Sequence, residues 1–164
     1  MNAKIGVQKL LEEVTVRLDV EISSKKRLFE EIGLIVEKSQ AIPRSEVFDA
    51  LFARERIGST GIGHGVAIPH GKLPNLKRFC GVFMRLANPI QFESNDNRPV
   101  SLVFALLTPR TKHQTQHLDL LSHLAEVFNR AENREALVSC SDENVVLNIL
   151  GKSDVIHHGQ STVF

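Results

Sequence analysis

The residues best suited to chemistry lie in a glycine-rich segment, residues 58–72, which reads Gly-Ser-Thr-Gly-Ile-Gly-His-Gly-Val-Ala-Ile-Pro-His-Gly-Lys. Within it His70 follows Pro69, whose ring fixes its own φ and favours an extended conformation in the residue before it. Gly71 removes a side chain immediately beside the histidine. A neutral imidazole is a nucleophile near physiological pH, since its unperturbed pKa is about 6.5. His70 is therefore a candidate nucleophile, and a residue of a surface turn is the simpler alternative.

Hydrogen-bond donors that suit an anion stand close to this histidine in the sequence. Ser59 and Thr60 supply hydroxyl groups, and the glycines that begin with Gly61 allow backbone N–H groups to approach a phosphoryl group closely. Arg54, sixteen positions before the histidine, can contact phosphate in a bidentate manner. Arg56 lies near enough to be confused with it. We predict phosphate binding by Ser59, Thr60 and Gly61, supported by an arginine.

Composition limits the classes of function. The 164 residues include 20 Lys and Arg against 19 Asp and Glu, a net charge of +1, which gives no basic field for nucleic acid. No stretch approaches the roughly 20 apolar residues that cross a bilayer, and the N-terminus lacks an apolar leader. We expect a cytoplasmic protein with no membrane insertion. Cys80 and Cys140 lack CxxC spacing and are predicted to be reduced thiols, Cys80 in the core.

The elements that position the histidine can be predicted from periodicity. The segment Val14–Val20 alternates apolar and polar residues and indicates a strand. Apolar positions at helical spacing predict one helix near 24–38 after the capping residues Ser23 and Ser24, and a second that begins at Pro43 and Ser45 and runs toward Arg54. The glycines of 58–72 then favour a turning backbone.

Two apolar runs, Phe79–Leu86 and Val100–Leu107, predict central strands that are antiparallel neighbours, separated by the polar turn at 93–97. An apolar stripe that begins near Gln114 and two shorter segments near 131–139 and 142–150 predict three final helices. The order is one strand, two helices, several strands and three helices. It favours an α/β domain with a mixed sheet covered by helices on both faces.

Further sequence motifs lie before and after the glycine-rich segment. Arg-Glu-Arg at 54–56 precedes it, and Asp-Asn-Arg-Pro-Val at 96–100 and Phe-Ala-Leu-Leu at 104–107 follow it. Together these motifs resemble the enzyme IIA component of the bacterial phosphoenolpyruvate-dependent phosphotransferase system, of the mannitol/fructose class. Within that class the sequence is most similar to the nitrogen-regulatory members. The resemblance covers 7–151 as a type 2 IIA domain and leaves a C-terminal tail, 152–164, with His157 and His158.

The resemblance implies a fold and a function. The fold is a three-layer α/β/α sandwich in a single domain. His70 accepts a phosphoryl group from a phosphorylated HPr-like carrier, Arg54 matches the active-site arginine, and His117 matches a second active-site histidine. No cofactor takes part. The output is nitrogen- or carbon-linked regulation through regulatory protein targets whose binding depends on the phosphate; the alternative is sugar uptake, with transfer to a separate IIB protein.

The same residues allow other interpretations, namely a structural role, a metal site or nucleotide binding. His117 could be a polar residue at the edge of an amphipathic helix. His113 and His117, four residues apart, have a spacing that can bind zinc, but His123 lies well round the helix and no third ligand is evident, so we predict no metal. The glycines at 61, 63 and 65 match neither the GxGxxG of a dinucleotide fold nor a GK[ST] loop, which argues against nucleotide binding.

Overall fold

The computed structural model describes residues 3–110 and 114–152, so the predicted tail lies, apart from Lys152, outside the described residues. Twelve elements follow one another within these ranges: α1 (Ala3–Leu11), β1 (Val14–Val20), α2 (Lys25–Gln40), α3 (Arg44–Glu55), β2 (Gly61–Gly63), β3 (Val66–Ala67), β4 (His70–Leu73), β5 (Cys80–Ile90), β6 (Val100–Pro109), α4 (Gln114–Asn129), α5 (Ala131–Ser139) and α6 (Glu143–Leu150). None of these helices is long and apolar enough to cross a membrane.

The strands form one mixed sheet whose centre is the antiparallel pair β5 and β6. Strand β1 runs parallel to β5 on one side. On the other side β3 and β4 both run parallel to β6, one along each half of it, and β2 pairs antiparallel with β3. Pro69 interrupts the chain between β3 and β4, although its carbonyl still accepts a hydrogen bond from the Leu106 N–H at 2.9 Å. The sheet is therefore continuous up to His70, where β4 begins.

Side chains of β6 alternate between two cores, one on each face of the sheet. Val103, Ala105 and Leu107 pack with α2 and α3. Phe104 and Leu106 point the opposite way and pack with α1, α4, α5 and α6. Because both faces are buried, the strand reads as a continuous apolar run rather than an alternating one. The arrangement is a three-layer α/β/α sandwich with a mixed sheet, as predicted.

Most predicted elements are confirmed. The strand at Val14–Val20 has the predicted bounds, the helix near 24–38 is α2 with the Ser24 hydroxyl accepting from the Arg27 N–H at 3.2 Å, and Pro43 immediately precedes α3. The two central strands are antiparallel neighbours, and three helices close the domain. Both cysteines are free thiols, with Cys80 buried.

The predicted order was wrong at its start, because the chain begins with α1 rather than with a strand. This helix is nine residues long and contains Gly6, so it has little intrinsic stability. It is held by tertiary packing: Val7 and Leu10 are buried in the core beside α4. The glycine-rich segment also forms three short strands that the sequence did not place individually.

Candidate active site

His70 stands at the first position of the edge strand β4, with its ring half-buried. Its Nδ1 lies 3.0 Å from the carbonyl oxygen of Ile68. Because a carbonyl oxygen can only accept a hydrogen bond, the neutral ring carries its proton on Nδ1. The Nε2 atom consequently keeps a free lone pair, which is the requirement for a nucleophile.

His117 lies on α4, on the opposite wall of the same site. It is 7% exposed, and its Nδ1 lies 3.0 Å from the hydroxyl of Thr108 on β6. The centroids of the His70 and His117 rings are 5.5 Å apart. The structure therefore brings together two histidines that are 47 positions apart in the sequence, because β4 and β6 are paired in register and α4 packs on the face to which His70 points.

Burial keeps both rings neutral at physiological pH. It lowers the pKa of His70 below 6.5, assisted by the positive charges of Arg54 and Lys72 and opposed by the hydrogen bond to Ile68 and the charge of Glu55. Burial also lowers the pKa of His117 to about 4, with further contributions from His70 and Lys72. The neutral imidazole is the nucleophilic form of a histidine, so a ring in this state needs no deprotonation before it can act as a nucleophile.

Arg54 reaches the site because α3 packs closely against β4. A Cβ at Gly71 would lie 3.0 Å from the Ala50 Cβ and 3.2 Å from the Ala50 carbonyl carbon, so a side chain there would push α3 away from β4. Arg54 follows one helical turn after Ala50 and lines the same cavity as both histidines. Its Nη1 donates to the carbonyl of Gly58 at 2.7 Å.

The cavity between α3, β4 and α4 has a volume of about 370 Å³. It is lined by Ala50, Ala53, Arg54, Ile57, His70, Gly71, Lys72, Arg110 and His117. These described lining residues include three permanent cations and no carboxylate, so the cavity favours an anion. Sequence reasoning missed Lys72 and Arg110. The strand period from His70 to Lys72 could have indicated the first; nothing distinguished Arg110 from a surface arginine.

Ser59, Thr60 and Gly61 do not line this cavity. The Ser59 hydroxyl donates to the Phe92 carbonyl at 2.7 Å and accepts from the Gly61 N–H at 3.1 Å. Both the N–H and the hydroxyl of Thr60 donate to the carboxylate of Glu55, at 3.1 and 2.6 Å. These donors are engaged within the turn, and phosphate binding by the three residues stays a prediction.

The alternative of a zinc site gains no support. His113 lies outside the described residues, and His123 directs its Nε2 to the carbonyl of Leu150, at 2.7 Å, rather than toward His117. Within 3–110 and 114–152, no three His, Cys, Asp or Glu side chains are placed to share a metal ion.

Comparison with known proteins places this geometry in a family. The family model for the phosphoenolpyruvate-dependent sugar phosphotransferase system, EIIA 2, matches residues 9–153. The chain is 45% identical over 146 residues to the nitrogen regulatory protein of Escherichia coli strain K12, covering 88% of this chain and 89% of that one. It is 30% identical over 149 residues to the fructose-specific EIIABC component of Bacillus subtilis strain 168, covering 90% of this chain and 23% of that one.

Among solved structures, the nitrogen regulatory protein IIA-Ntr of Neisseria meningitidis superposes with a TM-score of 0.82 at 44% identity, covering 85% of this chain and 97% of the other. The sequence motifs, the fold and these matches agree with one another. The chain belongs to the EIIA 2 family of the phosphoenolpyruvate-dependent sugar phosphotransferase system.

Proposed function

We propose that this chain is a phosphocarrier that accepts a phosphoryl group from a phosphorylated HPr-like protein on Nε2 of His70 and acts in nitrogen- or carbon-linked regulation. The observation that carries the proposal is the hydrogen bond from His70 Nδ1 to the Ile68 carbonyl, which leaves Nε2 free in a cationic cavity. Family membership and the names of the relatives that are about 45% identical support it.

The transfer step needs no general base at His70. The Nε2 lone pair forms the new P–N bond while the P–N bond of the donor's phosphohistidine breaks and its electron pair returns to the donor's nitrogen. The Nδ1 proton stays in place, and its bond to the Ile68 carbonyl stabilises the positive charge that the ring gains. Because phosphoryl transfer has a loose transition state, the protein contributes mainly positioning and charge.

Arg54 and His117 act on the oxygens of the transferring group. The Arg54 guanidinium uses one N–H on the Gly58 carbonyl and has others to offer. When the Thr108 hydroxyl donates to His117 Nδ1, the histidine carries its proton on Nε2 and can donate it to a phosphoryl oxygen. Lys72 and Arg110 add positive charge at the same cavity.

The rim of the cavity suits a protein partner. Ile57 is 83% exposed and lines the cavity beside Arg54, and Leu118, adjacent to His117, is 55% exposed. Exposed apolar residues beside cations provide an interface in which a donor's phosphorylated surface can dock. The same rim is available to a downstream regulatory target.

Phosphorylation would change the partner because it cancels much of the positive charge that Arg54, Lys72 and Arg110 give this surface. A phosphoryl group adds a charge of about −1.5 to −2 at neutral pH. The alternative function is a sugar-uptake IIA that passes the phosphate to a separate IIB protein, which the similarity to a fructose-specific EIIABC component favours. Addition of a fructose-type IIB to the phosphorylated chain separates the two: rapid loss of phosphate from His70 indicates transport.

The direct test is incubation with phosphoenolpyruvate, enzyme I and the HPr-like carrier. The wild type should gain an acid-labile phosphoryl group, and NMR of the ring nitrogens should place it on Nε2. His70→Ala should gain none, whereas His123→Ala, a histidine held outside the cavity, should react as the wild type does. Phosphorylation of the His70→Ala variant, or a phosphoryl group on Nδ1, would contradict the proposal.

A further inference from the structure

The turn that follows α3 contains a buried carboxylate that sequence analysis did not single out. Glu55, the last residue of α3, has a side chain that is only 4% exposed. It accepts hydrogen bonds from the Thr60 N–H and hydroxyl, at 3.1 and 2.6 Å, and from the Lys25 ammonium, at 2.9 Å. Burying a carboxylate is costly unless it is paired, and here the pairing is extensive.

Each partner of Glu55 is itself held in place. Lys25, which is 15% exposed, lies 4.5 Å from the centroid of the Phe92 ring. The carbonyl of Phe92 accepts from the Ser59 hydroxyl at 2.7 Å, which fixes the residue before Thr60. The turn 56–60 is therefore attached at both Ser59 and Thr60 to the body of the protein.

The turn also holds the guanidinium of Arg54. Arg54 Nη1 donates to the carbonyl of Gly58, which is exposed and has no side chain to anchor it. Within the turn, the Gly58 N–H donates to the Glu55 carbonyl at 3.2 Å. The position of the Gly58 carbonyl thus depends on both ends of the turn. The turn starts after Glu55, and at its other end Thr60 is bound to the Glu55 carboxylate.

We infer that Glu55 is a positioning residue: bound to Thr60 and Lys25, it fixes the turn 56–60 so that Gly58 directs the Arg54 guanidinium toward His70. The inference rests on the proposed phosphoryl transfer. It assigns Glu55 no contact with the phosphoryl group. It also accounts for Ser59 and Thr60, whose hydroxyl groups maintain the turn in this structure.

A direct charge effect of Glu55 on His70 is the alternative to a geometric one. The Glu55 charge raises the pKa of His70, against the larger lowering by burial. Removing that charge leaves His70 neutral but slightly less basic, so it weakens the nucleophile only a little. A large loss of rate after Glu55→Gln that vanishes when Arg54 is absent therefore indicates geometry.

The test is a double-mutant cycle on the transfer rate at saturating phosphorylated HPr-like donor. Glu55→Gln should lower the rate constant by about 10²-fold, the scale of a misplacement of about 1 Å, with little change in KM. In an Arg54→Met background the same substitution should have less than about a twofold effect, because interacting residues are not additive. Equal factors in both backgrounds, or a rise in KM alone, would overturn the inference.

Milder variants guard against misfolding. Thr60→Val removes one hydroxyl donor and should lower the rate constant by about tenfold. Thr60→Ser keeps a hydroxyl and should react at about the wild-type rate. The control is Asp19→Asn, which weakens an ion pair with the buried Arg85 on the far side of the sheet and should leave the rate unchanged. A Thr60→Val rate equal to that of the wild type would count against the inference.

A readout independent of activity separates this inference from the proposed function. Nitrogen-15 relaxation of Arg54 Nε should show an ordered side chain in the wild type and a more mobile one in Glu55→Gln and Thr60→Val. If the wild type is never phosphorylated, the proposed function and a role of Glu55 in transfer both fail. If it is phosphorylated but the mobility of Arg54 is unchanged in both variants, only the inference fails.

Discussion

Two arginines of this molecule show how differently the fold treats a positive charge. Arg85 is 8% exposed and donates to both carboxylate oxygens of Asp19 at 3.0 Å, as well as to the carbonyls of Leu137 and Cys140 at the end of α5. Arg54 donates to one carbonyl and, within the described residues, forms no ion pair. Arg85 thus connects two strands to a helix, whereas Arg54 retains its charge for a cavity.

The difference lies in the placement of nearby carboxylates. Arg85 is joined to its carboxylate across β1 and β5, and that hydrogen bond raises the pKa of the guanidinium. Arg54 has Glu55 beside it in the sequence, but Glu55 is bound to Lys25 and Thr60 instead. The charge of Arg85 is neutralised within the structure, whereas the charge of Arg54 stays unpaired among the described residues because the neighbouring carboxylate has other partners.

The largest effect that we predict is on the rate of phosphoryl transfer, and it tests the contrast between Arg54 and Arg85. Arg54→Met should slow transfer to His70 by about 10²- to 10³-fold, equivalent to about 3 to 4 kcal/mol of transition-state stabilisation, because a donor to the developing charge is lost. The unfolding free energy should change by less than about 0.5 kcal/mol. Rapid-quench measurements and urea titrations give the two quantities. A variant that transfers normally would remove Arg54 from the mechanism.

Arg85→Met should show the reverse pattern. It leaves the carbonyls of Leu137 and Cys140 without their donor, so we expect the unfolding free energy to fall by about 2 kcal/mol. The transfer rate, measured well below the unfolding temperature, should stay within about twofold of wild type. Thermal and urea unfolding would decide it. Equal losses of stability in both arginine variants would show that the two side chains do not differ in role.

The sequence predicted some elements and missed others, depending on whether local pattern or distant contacts stabilise them. The strands β5 and β6 were predictable because apolar runs of that length have few other uses. Helix α1 was missed because its stability comes from packing against α4, which periodicity does not report. Local pattern thus predicts elements that are stable by composition and fails for those stabilised by distant contacts.

The candidate site shows the same limit of prediction from local pattern. His70 could be selected from its own neighbours, but its meeting with His117 depends on the register of β4 and β6 and on the path of α4. Ser59 was expected to bind phosphate, yet its hydroxyl is bonded to the carbonyl of Phe92, 33 residues away. Such long-range partners decide which donors are available, and the sequence does not display them.

A smaller effect concerns pH, because the cavity contains a second neutral histidine with no carboxylate to pair it. His117 has a pKa of about 4 when folded and about 6.5 when unfolded, so the unfolded state binds more protons between these values. Stability is then complete above pH 6.5 and falls with acidification. The loss between pH 6.5 and 5 should be about 1.5 kcal/mol, because the slope approaches about 1.36 kcal/mol per pH unit only below the unfolded pKa.

This pH dependence can be assigned by substitution. His117→Gln should remove that loss, leaving only the smaller slope of the same sign that the lowered pKa of His70 contributes. Urea titrations between pH 7 and 5 would measure it. The window lies above the range in which Asp19, Glu37 and Asp96, whose pKa values are lowered by their hydrogen bonds, contribute. An unchanged slope in the variant would mean that folding does not lower the pKa of His117.

The smallest effect we predict separates a charge that contacts the phosphoryl group from one that only attracts the partner. Lys72 lines the cavity, whereas Lys77 is exposed in the loop between β4 and β5 and is not among the described lining residues. Lys72→Gln should lower kcat/KM by about three- to fivefold at low ionic strength, since steering of an anionic partner depends on summed charge. Lys77→Gln should have less than half of that effect.

Ionic strength then tests the origin of the Lys72 effect. Between about 0.01 and 0.15 M salt the Debye length falls from about 30 to about 8 Å, so an effect due to steering should largely disappear in stopped-flow measurements across that range. An effect that persists in salt and lowers kcat would place the Lys72 ammonium on the phosphoryl oxygens beside Arg54. In that case the cavity holds two catalytic cations, Arg54 and Lys72. Both would then differ from Arg85, whose charge is paired within the structure.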